Sequence, residues 1–159
     1  MKRTTEANVI RALVQTLRAN NSELNAGTIS GKLNGVHEGV APKDVGYPYL
    51  TYDLVYAPYD DDWSNRTIRS AFDISAWSEN QVEASNLDAL VSSAIEDNLE
   101  AVDGQTILYC RRIAGIRLPE VDEEGKRIYR VGGTYLIWTD QPLGVTQVAQ
   151  LAASAVISV

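Results

Sequence analysis

The chain has 159 residues, which fits one domain, and its 45% apolar and 22% charged content is that of an ordinary globular protein. A single cysteine, Cys110, excludes an internal disulfide framework, and a single histidine, His37, leaves too few ligands for a Cys/His zinc site. The net charge of −7 is uneven: residues 1–43 carry six basic and three acidic side chains, residues 44–103 two and thirteen, and residues 104–159 six and five. A chain of that sign does not hold nucleic acid by neutralising phosphates. It can serve solubility alone, or line a surface past which nucleic acid slides without sticking.

The first predicted element is a helix that Thr4 or Thr5 can cap. Val9, Ile10, Leu13, Val14 and Leu17 form one stripe at helical spacing, and Arg11, Gln15 and Arg18 take the wet face. The apolar residues of this segment are spaced, so it does not read as a signal peptide, and no run approaches a membrane span. "ANNSELNAG" ends the helix with turn-forming residues. Residues 28–46 hold four glycines and a proline within "GKLNGVHEGVAPKDVG" and read as a long loop, with room for a short strand near Thr28 to Leu33.

"YPYLTYDLVY" is a strand in which Leu50, Tyr52, Leu54 and Tyr56 alternate with Tyr49, Thr51, Asp53 and Val55. "APYDDDWSN" connects it to a longer strand, roughly Arg66 to Trp77. There Ile68, Phe72, Ile74 and Ala76 point one way, and Thr67, Arg69, Asp73, Ser75 and Trp77 the other. Ser78, followed three residues later by Gln81, has the spacing of a capping box. A stripe of Val82, Leu87, Leu90, Val91, Ala94, Ile95 and Leu99 follows, predicting a helix from about Glu79 to about Glu100. Gln105 to Leu118 and Ile128 to Asp140 are two further strands around the charged hairpin-like connection "PEVDEEGKR". Gly132-Gly133 inside the last strand predicts a bulge or a close backbone approach. The order is helix, two strands, helix, two strands and an apolar tail.

Little of this supports chemistry. Asp60, Asp61 and Asp62 lack the alternating spacing of a calcium loop and read as a solvated acidic loop. His37 has no nucleophile-elbow motif to serve, "GKLNG" is not a phosphate-binding loop, and Cys110 sits mid-strand as a small hydrophobe. Arg111 and Arg112 point to opposite faces of a strand, too sparse for a nucleic-acid patch. No catalytic residue, metal or cofactor is expected. Trp63, Trp77, Trp138 and eight tyrosines against one phenylalanine fit either ordinary strand propensity or an interface with one apolar and one wet side. After Gln141-Pro142-Leu143-Gly144, the positions Val145, Val148, Leu151, Ala152, Ala155 and Val156 fit a helical stripe, and Ala155 to Val159 fit a strand equally well.

The stretches "YPYLTYDL", "FDISAWSENQVEASNLDALVSSAIEDNL" and "GKRIYRVGGTYLIWTD", with the first helix, resemble the tail terminator (tail completion) proteins of long-tailed bacteriophages over most of residues 5 to 140. Residues 27–46 and the tail after Gly144 depart from that pattern. The resemblance implies an α+β fold, a mostly antiparallel sheet of about four strands with two helices packed on it in the order α-β-β-α-β-β. The apolar pattern itself makes residues 1–144 one domain and 145–159 an extension that packs on a neighbouring subunit or a neck or tube protein, with packing on its own domain as the alternative. The resemblance implies a virion protein, made in the host cytoplasm, that forms a homo-oligomeric ring, a hexamer, at the head-proximal end of the tail. Such a ring stops tube polymerisation, meets the tail tube protein and a head-closure or connector protein, and lets DNA pass an acidic lumen without binding it; no membrane is involved. Another neck protein, or a small enzyme with a site in the 28–46 loop, are the alternatives.

Overall fold

The computed structural model describes residues 5–56, 59–61, 65–99 and 106–142. The elements run α1 (Thr5–Ala19), α2 (Asn21–Ala26), β1 (Val36–Glu38), β2 (Tyr49–Tyr56), β3 (Tyr59–Asp61), β4 (Asn65–Ser78), α3 (Gln81–Ile95), β5 (Thr106–Val121) and β6 (Arg127–Pro142). The six strands form one sheet in the order β1-β2-β4-β6-β5, with β3 also on β4. Every pairing is antiparallel except β1 on β2. The α+β class and the mostly antiparallel sheet are as expected, whereas the strand count and element order are not: among the described residues six strands replace about four, and three helices replace two.

Each extra element was hidden for a physical reason. "NSELNA" has turn composition, yet it closes into α2 because Leu24 is buried at 1% exposure against the core. A six-residue helix does not hold by propensity, so tertiary burial decides. The short strand lies at Val36–Glu38 rather than Thr28 to Leu33. Gly35 (φ 98°) and Gly39 (φ 70°) turn the chain in and out of the sheet on either side of it. The 28–33 segment is instead tied to α2, with Thr28 Oγ1 donating to the Asn25 carbonyl and Leu33 N to Asn25 Oδ1. The "APYDDDWSN" connection contains β3. Tyr56 lies across from Ala71 and Tyr59 across from Ile68 in one continuing register. β2 and β3 thus run beside β4 as one long hairpin arm.

Alternation then sorts the side chains. Leu50, Tyr52, Phe72, Ile74, Ala76, Cys110, Tyr135 and Ile137 point to one face and form the core with Val9, Leu13 and Leu17 of α1 and Leu87, Val91 and Ile95 of α3. Each fully buried aliphatic or aromatic side chain is worth roughly 1.5–3 kcal/mol. In α3 the buried line runs Glu83, Ala84, Leu87, Val91, Ala94 and Ile95, so Val82 is off the stripe and exposed. β5 continues past Leu118 to Val121, and Pro119 is tolerated because β5 is the edge strand of the described sheet. Asp122 closes the hairpin by accepting from the Glu124 and Lys126 amides, with Gly125 at φ 81°.

Gly132-Gly133 marks a close approach, not a bulge of its own strand. A Cβ on Gly132 would lie 2.2 Å from the Ile74 carbonyl oxygen, and one on Gly133 2.5 Å from Arg112 Nε. The β4–β6 register runs unbroken across the pair, and the bulge falls opposite, between Arg112 and Ala114 of β5. The space over Gly133 is filled by Arg112, and that over Gly132 by the β4 backbone at Ile74 and Ser75. Arg112 Nη2 donates to the Gly132 carbonyl at 2.6 Å and its Nη1 to Asp88 Oδ2 of α3 at 2.8 Å, clasping the helix to the sheet.

Candidate interaction face

The helices cover one face of the sheet, over Tyr52, Phe72 and Tyr135, and the other face carries Tyr49, Trp77, Tyr109 and Trp138. β2, β4 and β6 present Tyr49, Trp77 and Arg130 in adjacent register positions: Tyr49 is across from Trp77, and Trp77 from Arg130. The rings stack accordingly, Tyr47 on Tyr49 at 5.2 Å and Tyr49 on Trp77 at 6.1 Å, and the Arg130 guanidinium sits 5.3 Å above the Trp77 ring. Hydrogen bonds lock the row: Trp77 Nε1 donates to Thr51 Oγ1 at 2.8 Å, and Arg130 Nε to Ser75 Oγ at 3.0 Å. Burial, together with neighbouring Tyr47, pushes the Tyr49 phenol up to about 12, so this row carries no tyrosinate at neutral pH. At the other end of the same face Arg69 lies 4.8 Å over Trp138, which tilts against Tyr109 at 6.0 Å. Between the rows Thr134 Oγ1 donates to Asp73 Oδ1. Cation–π pairs and ring stacks of this kind are worth about 0.5–1.5 kcal/mol each and hold the side chains flat and preformed.

Part of the aromatic content is therefore core, as with Tyr52 and Tyr135, and part is a half-covered surface of the sheet. Trp63 lies outside the described residues. The two arginines that stack on tryptophan were not visible as such in the sequence. The usable signal was the alternation that puts Arg69, Trp77, Arg130 and Trp138 on one face.

The polar turn after β4 is structural, and its details differ from the expected capping box. The N-cap of α3 is Asn80, whose side chain accepts from Val82 N and Glu83 N. Ser78 is the last residue of β4 and Gln81 the first of α3, so the Ser78/Gln81 pair does not cap the helix. The helix starts two residues late because Ser78 is committed elsewhere. Its hydroxyl donates to Glu83 Oε1 at 2.6 Å and accepts from Asn80 N at 3.0 Å. The other oxygen of Glu83 accepts from Ile29 N at 2.5 Å. Glu83 is 7% exposed, so one buried carboxylate ties the strand end, the helix start and the 28–33 segment together.

The remaining candidates separate. His37 Nε2 donates to the Asn34 carbonyl at 3.0 Å and its ring meets Tyr49 edge-on, so it braces the loop. Burial pushes the Cys110 thiol up to about 12, which keeps it protonated and inert. Arg111 pairs with Asp97 at 3.0 Å in a surface contact, while Arg112 forms the clasp described above. Asp60 and Asp61 belong to β3, their side chains and Asp62 lying outside the described residues. Val145, Val148, Leu151 and Val156 also lie outside them. A groove of about 230 Å³ between α1 and α3 is lined by Ala12, Thr16, Asn20, Ser93 and Asn98, with no titratable group.

A chain from the virion of a native gene transfer agent particle superposes with a TM-score of 0.63, at 19% identity, over 87% of this chain and 99% of that one. At that identity the likeness is one of fold. No curated protein matches the chain in sequence. The family model of tail completion protein gp17 matches residues 8–140, from the first turn of α1 to two residues short of the end of β6. The chain therefore belongs to the tail completion protein gp17 family and is a structural protein of phage-type tails.

Proposed function

We propose that the protein is a tail terminator: a ring, six copies in the favoured form, that sits on the head-proximal end of the tail tube, stops its polymerisation and offers the head a docking face. The observation that supports this reading is a sheet that, among the described residues, carries helices on one side and on its other side a row of stacked rings and arginines. Such a surface binds without chemistry. Its rings are desolvated on one side and preformed, which lowers the ordering cost of association. The acidic segment around Asp60 to Asp62 would face the channel or ring surface, where like charge lets DNA pass. The extension after Gly144 would meet a neighbouring subunit or neck protein.

The test is imaging and co-purification. Purified protein mixed with isolated tail tubes should form a ring at one tube end and halt further growth. Tails assembled without it should vary in length. A chain that co-purifies with the connector and ignores the tube would be a head-closure or adaptor protein instead. Duplex DNA should not bind at physiological salt; a gel shift with a steep salt dependence would oppose the lumen assignment.

A further inference from the structure

Two surfaces of the described residues are apolar where a lone domain would carry charge, and they face opposite ways. The first is the outward side of the helix layer. In α3 the exposed positions Val82, Asn86, Ala89 and Ser93 recur at helical spacing and none is charged. The charged residues of this helix are engaged elsewhere: Glu83 is buried against Ser78 and the Ile29 amide, and Asp88 pairs with Arg112. Val82 is 67% exposed, and Ile29, held beside the start of α3 by Glu83, is 74% exposed. Between α2 and this stripe runs an open groove of about 550 Å³, lined by Ala26, Gly27, Ala89 and Leu90, with Glu23 the one charged residue of its lining. Glu23 is exposed, and no described cation pairs with it.

The second surface is the β5–β6 half of the open sheet face. Tyr109 lies across from Trp138, Ile116 from Gly132 and Leu118 from Arg130, so β5 widens the aromatic rows with apolar side chains. Tyr109 and Leu118 are exposed. The half-buried Arg130 guanidinium lies over Trp77 and gives only its Nε to a described acceptor, Ser75 Oγ. No described carboxylate pairs with it. Its remaining donors form a planar fork that suits a carboxylate. The strip from Arg130 to Trp138 is about 27 Å long. α3, with 15 residues, is about 22 Å long, so one helix fits along the strip.

We infer that a second copy of this chain covers the open sheet face: the α2–α3 surface of one protomer packs on the β5–β6 surface of the next, with Glu23 against the Arg130 guanidinium. The inference rests on the ring reading and names the surfaces that make the ring. One surface brings an unpaired carboxylate and the other an unpaired guanidinium, so charge selects the unlike pairing. An isologous contact of the helix surface would set Glu23 of both copies in one interface, like with like, and would stop at two copies. The unlike contact is heterologous, each copy using its helix side to meet the sheet side of its neighbour, and such contacts generate rings when the rotation closes.

Cross-linking and charge exchange test it. A photo-activated benzophenone side chain placed at Asn86, in rings assembled on tail tubes, should capture a second copy of the chain at a peptide of β5 or β6. Capture of the tube protein, of α3 in another copy, or of nothing, from rings that form, would overturn the inference and leave the ring reading in place. Glu23→Lys should stay folded by circular dichroism, because the side chain is exposed. It should raise the concentration needed for rings about tenfold or more, a tenfold change being about 1.4 kcal/mol. Arg130→Glu in the same chain should lower that concentration again, and so should an equimolar mixture of the two single variants, in which an alternating ring satisfies every contact. A threshold unmoved by Glu23→Lys, or a loss that neither rescue repairs in folded protein, would also overturn the inference alone. Wild-type protein that forms no ring with tail tubes would overturn both.

Discussion

Ser78→Ala separates a helix cap from a buried hub. As a cap the serine would be worth about 1 kcal/mol. In the structure it is fully buried and bonded in both directions, donating to the Glu83 carboxylate and accepting from the Asn80 amide. A hydrogen bond to a charged group contributes about 1.5–3 kcal/mol, and an ordinary one about 1 kcal/mol. Removing the hydroxyl also leaves Glu83, itself 7% exposed, with only the Ile29 amide as donor. The expected loss is about 2.5–4 kcal/mol. For a domain of this size that lowers Tm by roughly 5–15 °C. Urea denaturation followed by tryptophan fluorescence measures it, with Asn80→Ala, the true cap, as the reference at about 1 kcal/mol. A Ser78→Ala cost no larger than that of Asn80→Ala would refute the hub. The folded variant should still assemble, since the bonds of the turn position elements of its own domain; a folded variant that had lost assembly would make the turn a site.

Three further expectations follow from particular contacts. Gly132→Ala drives a Cβ into the Ile74 carbonyl and the Ser75 backbone, atoms that cannot move without opening the β4–β6 ladder. It should cost about 3 kcal/mol or more by denaturation, while Gly115→Ala, which meets only an Arg112 nitrogen at 3.3 Å, should cost under about 1 kcal/mol. Burial raises the Cys110 thiol from 9.0 to about 12. The sign is that of an acid kept neutral by folding: its contribution is whole below pH 9 and is lost as pH rises toward 12. A denaturation midpoint measured across that range should fall for the wild type and fall less for Cys110→Ala, and iodoacetamide should label the native thiol far more slowly than the unfolded one. Truncation after Gly144 should leave a folded, soluble domain that assembles poorly, read by circular dichroism and by ring counts on tail tubes; an unfolded product would assign the extension to the domain's own core.

Periodicity alone determined much of this protein. The stripe of Val9, Leu13 and Leu17, the alternation of Phe72, Ile74 and Ala76, and the Gly132-Gly133 pair each carried their structural meaning in sequence. Burial on one face repeats with the geometry of the element itself, and a missing side chain implies something close above it. The resemblance to tail completion proteins was likewise legible without coordinates. What tertiary structure decided is everything that depends on partners far along the chain. α2 exists because Leu24 finds the core, and β1 because β2 offers three residues of edge. The cap moved from Ser78 to Asn80 because Glu83, five residues on, claimed the serine and reached Ile29, 54 residues away in sequence. Arg69 and Arg130 became rigid parts of an aromatic surface only when β6 settled beside β4. Local sequence specifies period and propensity; pairing between distant strands, and the burial of a single charge, are settled by the free energy of the assembled fold.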